Sequence, residues 1–178
     1  LTGQTKVYDG TTSATLVNGS LTLTGFVSGE GATVSQTQAS YNSAHVLHAT
    51  TVTASLAAGN YTANNGTLLS NYVLPTTASG TGSITPARLS ATGTKTYDGL
   101  VAFDATGLTV SGVNGETVAA TGSGTMGSKN VQTNQALSSI AGLSLSGNNG
   151  ALTSNYVALA TSDTQVSVTP LAVNLSAP

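Results

Sequence analysis

The residues best suited to chemistry in this sequence form one motif that occurs twice. It combines a lysine, a tyrosine, an aspartate and a glycine, as Lys6-Val7-Tyr8-Asp9-Gly10 and Lys95-Thr96-Tyr97-Asp98-Gly99. The two aspartates could transfer protons or bind calcium, but calcium needs several oxygen ligands and no dense series of acidic side chains accompanies them. Asp-Gly is a strong turn dipeptide, because glycine accepts a positive φ and aspartate can bond its own backbone. We therefore predict two structural turns.

A second possible chemistry is a lysine–asparagine isopeptide crosslink beside a carboxylate. The necessary residue types repeat between the two copies, as Lys6 and Lys95, Asn71 and Asn155, and Glu30 and Glu116. The alternative is a solvated lysine whose aliphatic stem covers the neighbouring tyrosine. We expect this second, purely structural arrangement in both copies.

The two histidines do not predict a metal or a catalytic site. His45 and His48 are three positions apart, which puts their side chains on opposite faces of a strand. Neither has a counterpart in the second copy, and no Gly-x-Ser-x-Gly motif points to a serine hydrolase. The absence of cysteine excludes thiol catalysis and zinc–thiolate sites. We expect no enzymatic activity, no cofactor and no metal.

Most of the tyrosines also repeat, as Tyr8 with Tyr97 and Tyr72 with Tyr156. A tyrosine can bury its ring while its hydroxyl keeps a hydrogen-bond partner, so we expect these four to anchor the edges of the cores. The two remaining tyrosines, Tyr41 and Tyr61, are expected to be exposed. Together with His45 and His48 they form a candidate ligand loop, in which aromatic rings could stack on a sugar.

Composition excludes several classes of function. Charged residues make up only 6% of the chain and the net charge is −2, so no basic surface is available for nucleic acid. No apolar run is long enough to predict a transmembrane helix, and no basic amphipathic helix predicts membrane binding. Hydrophobic residues reach 39%, which favours a folded chain over a disordered one.

The repetition covers the sequence and predicts two domains. Further blocks recur in the same order, among them Ser70-Asn71-Tyr72-Val73 and Ser154-Asn155-Tyr156-Val157. We assign residues 1–89 to the first unit and residues 90–178 to the second. Each is long enough to bury a core of its own, unlike the short repeats of a solenoid.

The expected fold class is all-β. Threonine- and valine-rich runs favour strands, and Asn-Gly dipeptides such as Asn114-Gly115 favour hairpin turns between them. We predict two tandem small antiparallel β domains, sandwich-like, with Leu21–Thr24 and Val46–Leu56 among their strands. The alternative is a β-grasp-like fold with one short helix per unit.

Four blocks of this sequence resemble the YDG domain: Lys6–Thr12, Ser128–Val131, Asn-Tyr-Val at 71–73 and 155–157, and Ile84–Pro86. Such domains recur in large filamentous-haemagglutinin-like adhesins of Gram-negative bacteria that use two-partner secretion. The resemblance implies a secreted or outer-surface location and supplies no catalytic residue. The sequence departs from the pattern at Ser43–Val46, and Gly99 is not followed by the Thr-Thr that follows Gly10.

The expected function is that of a non-enzymatic stalk or spacer module in a large secreted or surface-attached bacterial adhesin. The alternative is a module that binds a glycan or a host surface protein through variable loops. The expected partners are neighbouring repeat units of the same chain, without nucleic acid or membrane insertion. Because the connector after Pro86 is short, we expect the two units to lie end to end and to scatter as an elongated particle.

Overall fold

The computed structural model describes residues 1–175, so the last three residues of the predicted second unit, 176–178, lie outside the described residues. The chain divides into two compact units, Leu1–Thr85 and Pro86–Pro178. Pro86 to Leu89 belong to the second unit, where Ala87 and Leu89 are both buried.

Unit 1 consists of short strands joined by turns and 3₁₀ segments. The described strands are β1 Gln4–Val7, β2 Ser13–Thr15, β3 Gly31–Val34, β4 Gln38–Tyr41, β5 Thr51–Ser55, β6 Tyr61–Asn64 and β7 Thr77–Thr85. Its 3₁₀ helices are Ala58–Asn60 and Leu69–Asn71. A five-stranded sheet has the order β1-β7-β5-β4-β2, while β3 and β6 form a separate antiparallel pair.

Unit 2 places its strands in one larger hydrogen-bonded network. The described strands are β8 Ser90–Thr96, β9 Ala102–Asp104, β10 Leu108–Ser111, β11 Thr117–Met126, β12 Gln132–Gln135, β13 Leu137–Ser139, β14 Leu143–Gly147 and β15 Thr164–Thr169. The 3₁₀ helices are Ala105–Gly107, Val113–Gly115, Thr153–Asn155 and Thr161–Asp163. The network has the order β12-β15-β8-β10-β11-β13, and both β9 and β14 also pair with β11.

The long strand β11 holds the two parts of this network together. Its first half pairs with β14 through Val118–Gly122, and its second half pairs with β9 through Ser123–Thr125. Gly122 lies at the change of partner with φ +86, and a Cβ there would stand 2.1 Å from the carbonyl oxygen of Gly142. Only glycine fits such a close approach in this conformation.

In each unit the first and last strands are parallel neighbours. Lys6 lies opposite Ile84 in β1 and β7, and Lys95 lies opposite Val168 in β8 and β15, so the register is the same in both units. Parallel neighbours cannot be joined by a hairpin and need a long connection. In both units the remaining elements of the domain supply that connection.

The all-β prediction is confirmed, with one difference in strand direction. Within residues 1–175 the helical segments are three-residue 3₁₀ turns, so the helix of the β-grasp alternative is not found there. Most strand pairs are antiparallel as predicted, but β1 with β7 and β8 with β15 are parallel. Local sequence patterns predict where strands lie, but they do not indicate which strands become neighbours. The parallel pairing was therefore not predicted.

Two strand predictions in unit 1 are wrong. Leu21–Thr24 is not a strand, although its counterpart Leu108–Ser111 is β10. The difference arises because β10 pairs with Ser90–Gly93 of the long strand β8, whereas β1 begins only at Gln4.

The second wrong prediction concerns Val46–Leu56, of which only Thr51–Ser55 is a strand. Residues 46–48 form a turn that the Asn42 side chain closes. The Asn42 amide oxygen accepts hydrogen bonds from the Thr50 and Thr51 amides at 2.9 and 3.0 Å, and its NH₂ group donates to the His48 carbonyl at 3.1 Å. An asparagine that bonds nearby backbone in this way competes with strand pairing.

The core of unit 2 is a cluster of five side chains, each no more than 2% exposed: Phe103, Met126, Leu137, Val166 and Val168. They come from β9, β11, β13 and β15, so the β9–β11–β13 part of the network packs on the part that contains β15. This is the sandwich-like packing expected from the sequence. In unit 1 the central strand β5 contributes Val52 and Ala54, which are both fully buried.

Replacing Phe103 by alanine should destabilise unit 2 by about 3–5 kcal/mol, because it removes a large side chain and leaves a cavity. Native-state hydrogen exchange of the β15 amides in the full chain measures this loss. Val101→Ala is the matched control, since Val101 is two residues away but 45% exposed, and its effect should stay within about 0.5 kcal/mol. Equal effects of the two substitutions would contradict this description of the core.

Candidate functional site

The repeated motif builds a loop that is closed by its lysine. We call residues Lys6–Ser13 and Lys95–Ala102 the signature loops. In unit 1 the Lys6 ammonium donates hydrogen bonds to Asp9 Oδ1 at 2.7 Å, to the Thr11 carbonyl at 2.8 Å and to the Ser13 carbonyl at 2.9 Å. One side chain therefore holds both the turn and the start of β2 against β1.

The second signature loop repeats the same three contacts. The Lys95 ammonium donates to Asp98 Oδ1 at 2.8 Å, to the Leu100 carbonyl at 2.9 Å and to the Ala102 carbonyl at 2.7 Å. Two of the acceptors are backbone carbonyls, which every residue type provides. The departure from Thr-Thr after Gly99 therefore leaves the loop geometry unchanged.

The aspartate and the glycine shape the turn itself. Asp9 Oδ1 accepts a hydrogen bond from the Thr11 amide at 2.9 Å, and Asp98 Oδ1 accepts one from the Leu100 amide at 2.9 Å. Gly10 has φ +76 and Gly99 has φ +78, a conformation that favours glycine. The predicted Asp-Gly turns are present in both units.

The tyrosine of the motif extends the parallel ladder by one more hydrogen bond. The Tyr8 amide donates to the Thr85 carbonyl and the Tyr97 amide donates to the Thr169 carbonyl, each at 2.8 Å. Tyr8 is only 3% exposed, and Tyr97 packs against the core cluster of unit 2. The motif thus joins the loop that follows the first strand to the end of the last strand.

The electrostatics of the signature loops stabilise ionised aspartates. In Asp98 the hydrogen bonds from Lys95 and from the Leu100 amide lower the pKa of the carboxyl below its ordinary value. In Asp9 partial burial raises the pKa, but the hydrogen bonds from Lys6 and Thr11 outweigh it, so the net shift is also downward. A carboxylate that already accepts these hydrogen bonds is held as an anion and is poorly suited to carry protons.

A second repeated contact joins a tyrosine to a glutamate. The Tyr72 hydroxyl donates to Glu30 Oε2 at 2.6 Å, and the Tyr156 hydroxyl donates to Glu116 Oε2 at 2.5 Å. Each hydroxyl also accepts a backbone hydrogen bond, from the Val27 amide in unit 1 and from the Val113 amide in unit 2. The hydrogen bond to Glu30 raises the pKa of Tyr72.

The groups required for an isopeptide crosslink lie in two different networks. Lys6 and Lys95 donate to the acceptors of the signature loops, while Glu30 and Glu116 accept from tyrosines. The lysine stems are largely covered, with side chains only 17% and 15% exposed. This arrangement is structural, but it differs from the solvated lysine that the sequence suggested.

The candidate ligand loop does not present an aromatic surface. The expected exposure of Tyr41 and Tyr61 is wrong, because they are 4% and 8% exposed. The Tyr41 ring lies under the Lys6 ammonium, 5.3 Å from ring centroid to Nζ, and the Tyr61 hydroxyl donates to the Pro75 carbonyl. His45 and His48 lie in the turn before β5 and not on a strand.

Residues 1–175 contain no group of three or more acidic, histidine or cysteine side chains placed to hold a metal ion. The helical segments in this part of the chain are three-residue 3₁₀ turns, and none of them could span a membrane.

The arrangement of parallel terminal strands, lysine-closed loop and tyrosine–glutamate contact occurs twice and defines a tandem β-repeat protein. The family model described as the YDG domain matches the chain twice, at residues 1–80 and 81–165. The chain therefore belongs to the YDG domain family. Comparisons with curated proteins and with solved structures give no match.

Sequence reasoning found the repeated residues but missed how they pair. Nothing in the spacing indicates that Lys6 contacts Asp9 while Glu30 contacts Tyr72. The one available signal was the joint repetition of each pair, since Glu30 and Tyr72 both recur, as Glu116 and Tyr156. The role of Gly112 was also missed. A Cβ at this position would stand 2.2 Å from the Tyr156 hydroxyl oxygen, so the glycine leaves the space that the hydroxyl occupies.

Replacing Lys95 by methionine should destabilise unit 2 by about 1–3 kcal/mol, since the Leu100 and Ala102 carbonyls lose a charged donor while the aliphatic stem is kept. Hydrogen exchange of the β8 and β15 amides measures the change. Lys129→Met is the control, because Lys129 is exposed, and it should have almost no effect. If the two variants were equally stable, the lysine would not be the residue that closes the loop.

Acidification should weaken both signature loops. The pKa values of Asp9 and Asp98 are lowered from 3.8, so their contribution to stability is complete above about pH 4 and is lost as the pH falls through the folded-state pKa. These two carboxylates should therefore leave the melting temperature constant down to about pH 4 and lower it at more acidic pH. In Asp98→Asn the stability of unit 2 should fall less on acidification. If its stability depended on pH as in the unsubstituted chain, Asp98 would not be a source of the acid sensitivity.

Proposed function

We propose that this chain is a non-enzymatic spacer module within a large secreted or surface-attached bacterial adhesin, located outside a Gram-negative cell. Its partners on this proposal are the neighbouring repeat units of the same polypeptide. The YDG family membership supports a structural or binding module, and the adhesin setting is our extension of it.

The parallel pairing of terminal strands carries the proposal. In unit 2 the chain enters along β8 and leaves along β15, with Ala91 opposite Thr164 and Thr96 opposite Thr169. The entry and the exit of the unit therefore lie at opposite ends of one strand pair. Tension applied through the chain loads these adjacent strands in shear, so that the hydrogen bonds of the ladder resist together.

The sites described above also favour a mechanical role over a ligand-binding one. The signature loops bind their own backbone carbonyls, and the tyrosines of the candidate ligand loop are turned inward. The low proportion of charged residues, 6%, leaves the surface to hydroxyl, amide and small apolar groups. Such a surface keeps a spacer free of strong charge-driven contacts.

Single-molecule pulling in two geometries tests the proposal on unit 2. The chain contains no native cysteine, so handles can be attached at chosen exposed positions. Ser90→Cys with Thr169→Cys pulls the parallel pair in shear, from opposite ends. Ser90→Cys with Gln165→Cys pulls the same pair apart from one end, so that the hydrogen bonds break one after another.

The shear geometry should unfold unit 2 at a severalfold higher force, since forced unfolding reports the unfolding barrier and not the equilibrium stability. The two variants contain the same strands and the same hydrogen bonds, so each is the control for the other. Equal unfolding forces in both geometries would count against a spacer that transmits tension.

A further inference from the structure

One tyrosine of unit 1 is replaced by a leucine at the same place in unit 2. In unit 1 Tyr61 of β6 lies opposite Val34 of β3. In unit 2 Leu145 of β14 lies opposite Ala120 of β11. Both pairs have the same spacing to the repeated glutamate and to the repeated Asn-Asn-Gly sequence. Register and sequence therefore agree that Leu145 is the counterpart of Tyr61.

In unit 1 the tyrosine ring fills the space between β6 and the segment that follows the Asn-Tyr-Val block. Tyr61 is only 8% exposed. Its hydroxyl donates a hydrogen bond to the Pro75 carbonyl. The ring therefore spans the distance from the strand to that carbonyl, and a phenol is the group that this part of the fold encloses.

Unit 2 lacks the side chain that fills this space. Leu159 is the counterpart of Pro75, since each is the third residue after the tyrosine of the Asn-Tyr-Val block. Leucine has neither a ring nor a hydroxyl, so Leu145 cannot donate to the Leu159 carbonyl. A second position is smaller as well, because Ala158 stands where unit 1 has Leu74.

A pocket of about 380 Å³ lies at this place in unit 2. Leu145 and Leu159 both line it, and its other walls include Leu89, Ile140 and Leu143. Leu143 and Leu145 are two positions apart on β14, so their side chains lie on the same face of the strand. The volume falls within the roughly 300–1,000 Å³ of small-molecule sites, which are mostly apolar with a few polar groups.

We infer that this pocket binds a small phenol, that is, one aromatic ring with a hydroxyl donor. The ring lies between β14 and residues 157–159, as the Tyr61 ring lies in unit 1, and the hydroxyl donates to the Leu159 carbonyl. The residues that line the pocket are all uncharged, which suits a neutral aromatic ligand. This inference is independent of the spacer role, which rests on the pairing of β8 with β15.

Titration of the full chain with p-cresol, followed by amide NMR shifts, tests the inference. This molecule is the tyrosine side chain in free form. Its addition should cause saturable shifts at residues 143–145 and 156–159, and not in β6. The ether 4-methylanisole cannot donate and should bind about 2- to 10-fold more weakly, the effect of one net hydrogen bond. Equal affinities, or shifts that do not saturate, would overturn the inference.

The source of the phenol is distinguished by a parallel titration with N-acetyltyrosine amide, which carries the backbone groups of a peptide. Binding of p-cresol alone would support a site for free phenols. Binding of both probes would support a site that also accepts a tyrosine side chain of another polypeptide.

Leu145→Tyr gives the pocket a phenol of its own and should abolish p-cresol binding. Leu100→Tyr is the matched control, because Leu100 is 60% exposed and does not line the pocket, and it should bind p-cresol normally. Ala158→Leu restores the bulk of Leu74 at an exposed position and should weaken binding even if Leu145→Tyr disturbs the packing. Undiminished binding in both pocket variants would contradict the proposed site.

The reciprocal variant Tyr61→Leu should open a second site in unit 1. Removal of the buried ring should destabilise that unit, and p-cresol should restore part of the loss, because a ligand stabilises the folded state to which it binds. Its addition should then shift the β6 amides, which it leaves unchanged in the unsubstituted chain. If p-cresol neither shifted these amides nor raised the melting temperature of unit 1, the equivalence of the two places would be wrong.

Discussion

The parallel hydrogen-bonded pairing of the first and last strands is the constraint on which the rest of each unit depends. Because no hairpin can join parallel neighbours, all the intervening residues must form one long connection that returns to its starting edge. In unit 2 the core cluster follows from this, since Val166 and Val168 of β15 present the surface on which Phe103 and Leu137 pack. The loops can vary in length without changing the register of the pair.

The signature loop secures the point where that connection begins. In both units the lysine ammonium donates to two backbone carbonyls and to the aspartate of the turn, and in unit 1 it also contacts the Thr11 hydroxyl at 3.0 Å. Contacts with carbonyls impose no demand on the side chains that carry them, which explains why Thr11 can be Leu100 in the second unit. The lysine, aspartate and glycine are required by geometry, and the residues between them are not.

Features set by neighbouring residues could be predicted from the sequence, and features set by distant partners could not. The turn at Asn114 and Gly115 was predictable because asparagine and glycine tolerate the positive φ that such a turn requires. The two residues have φ values of +52 and +77. Leu21–Thr24 has the composition of a strand but has no pairing partner in unit 1. In unit 2 its counterpart β10 pairs with the long strand β8. Tyr41 was expected at the surface because nothing in its local sequence reveals the Lys6 ammonium above its ring. The same limit applies to the tyrosine–glutamate contacts.

The separation between the entry and the exit of a unit also limits how that unit can be circularly permuted. Circular permutation works most simply in domains whose termini are close together. In unit 2 the six paired residues of β15 span about 20 Å at roughly 3.3 Å per residue. A linker that returned the chain from Thr169 to Ser90 would need at least about six extended residues laid along the sheet. The parallel pairing that separates the two ends of a unit therefore opposes a direct connection between them.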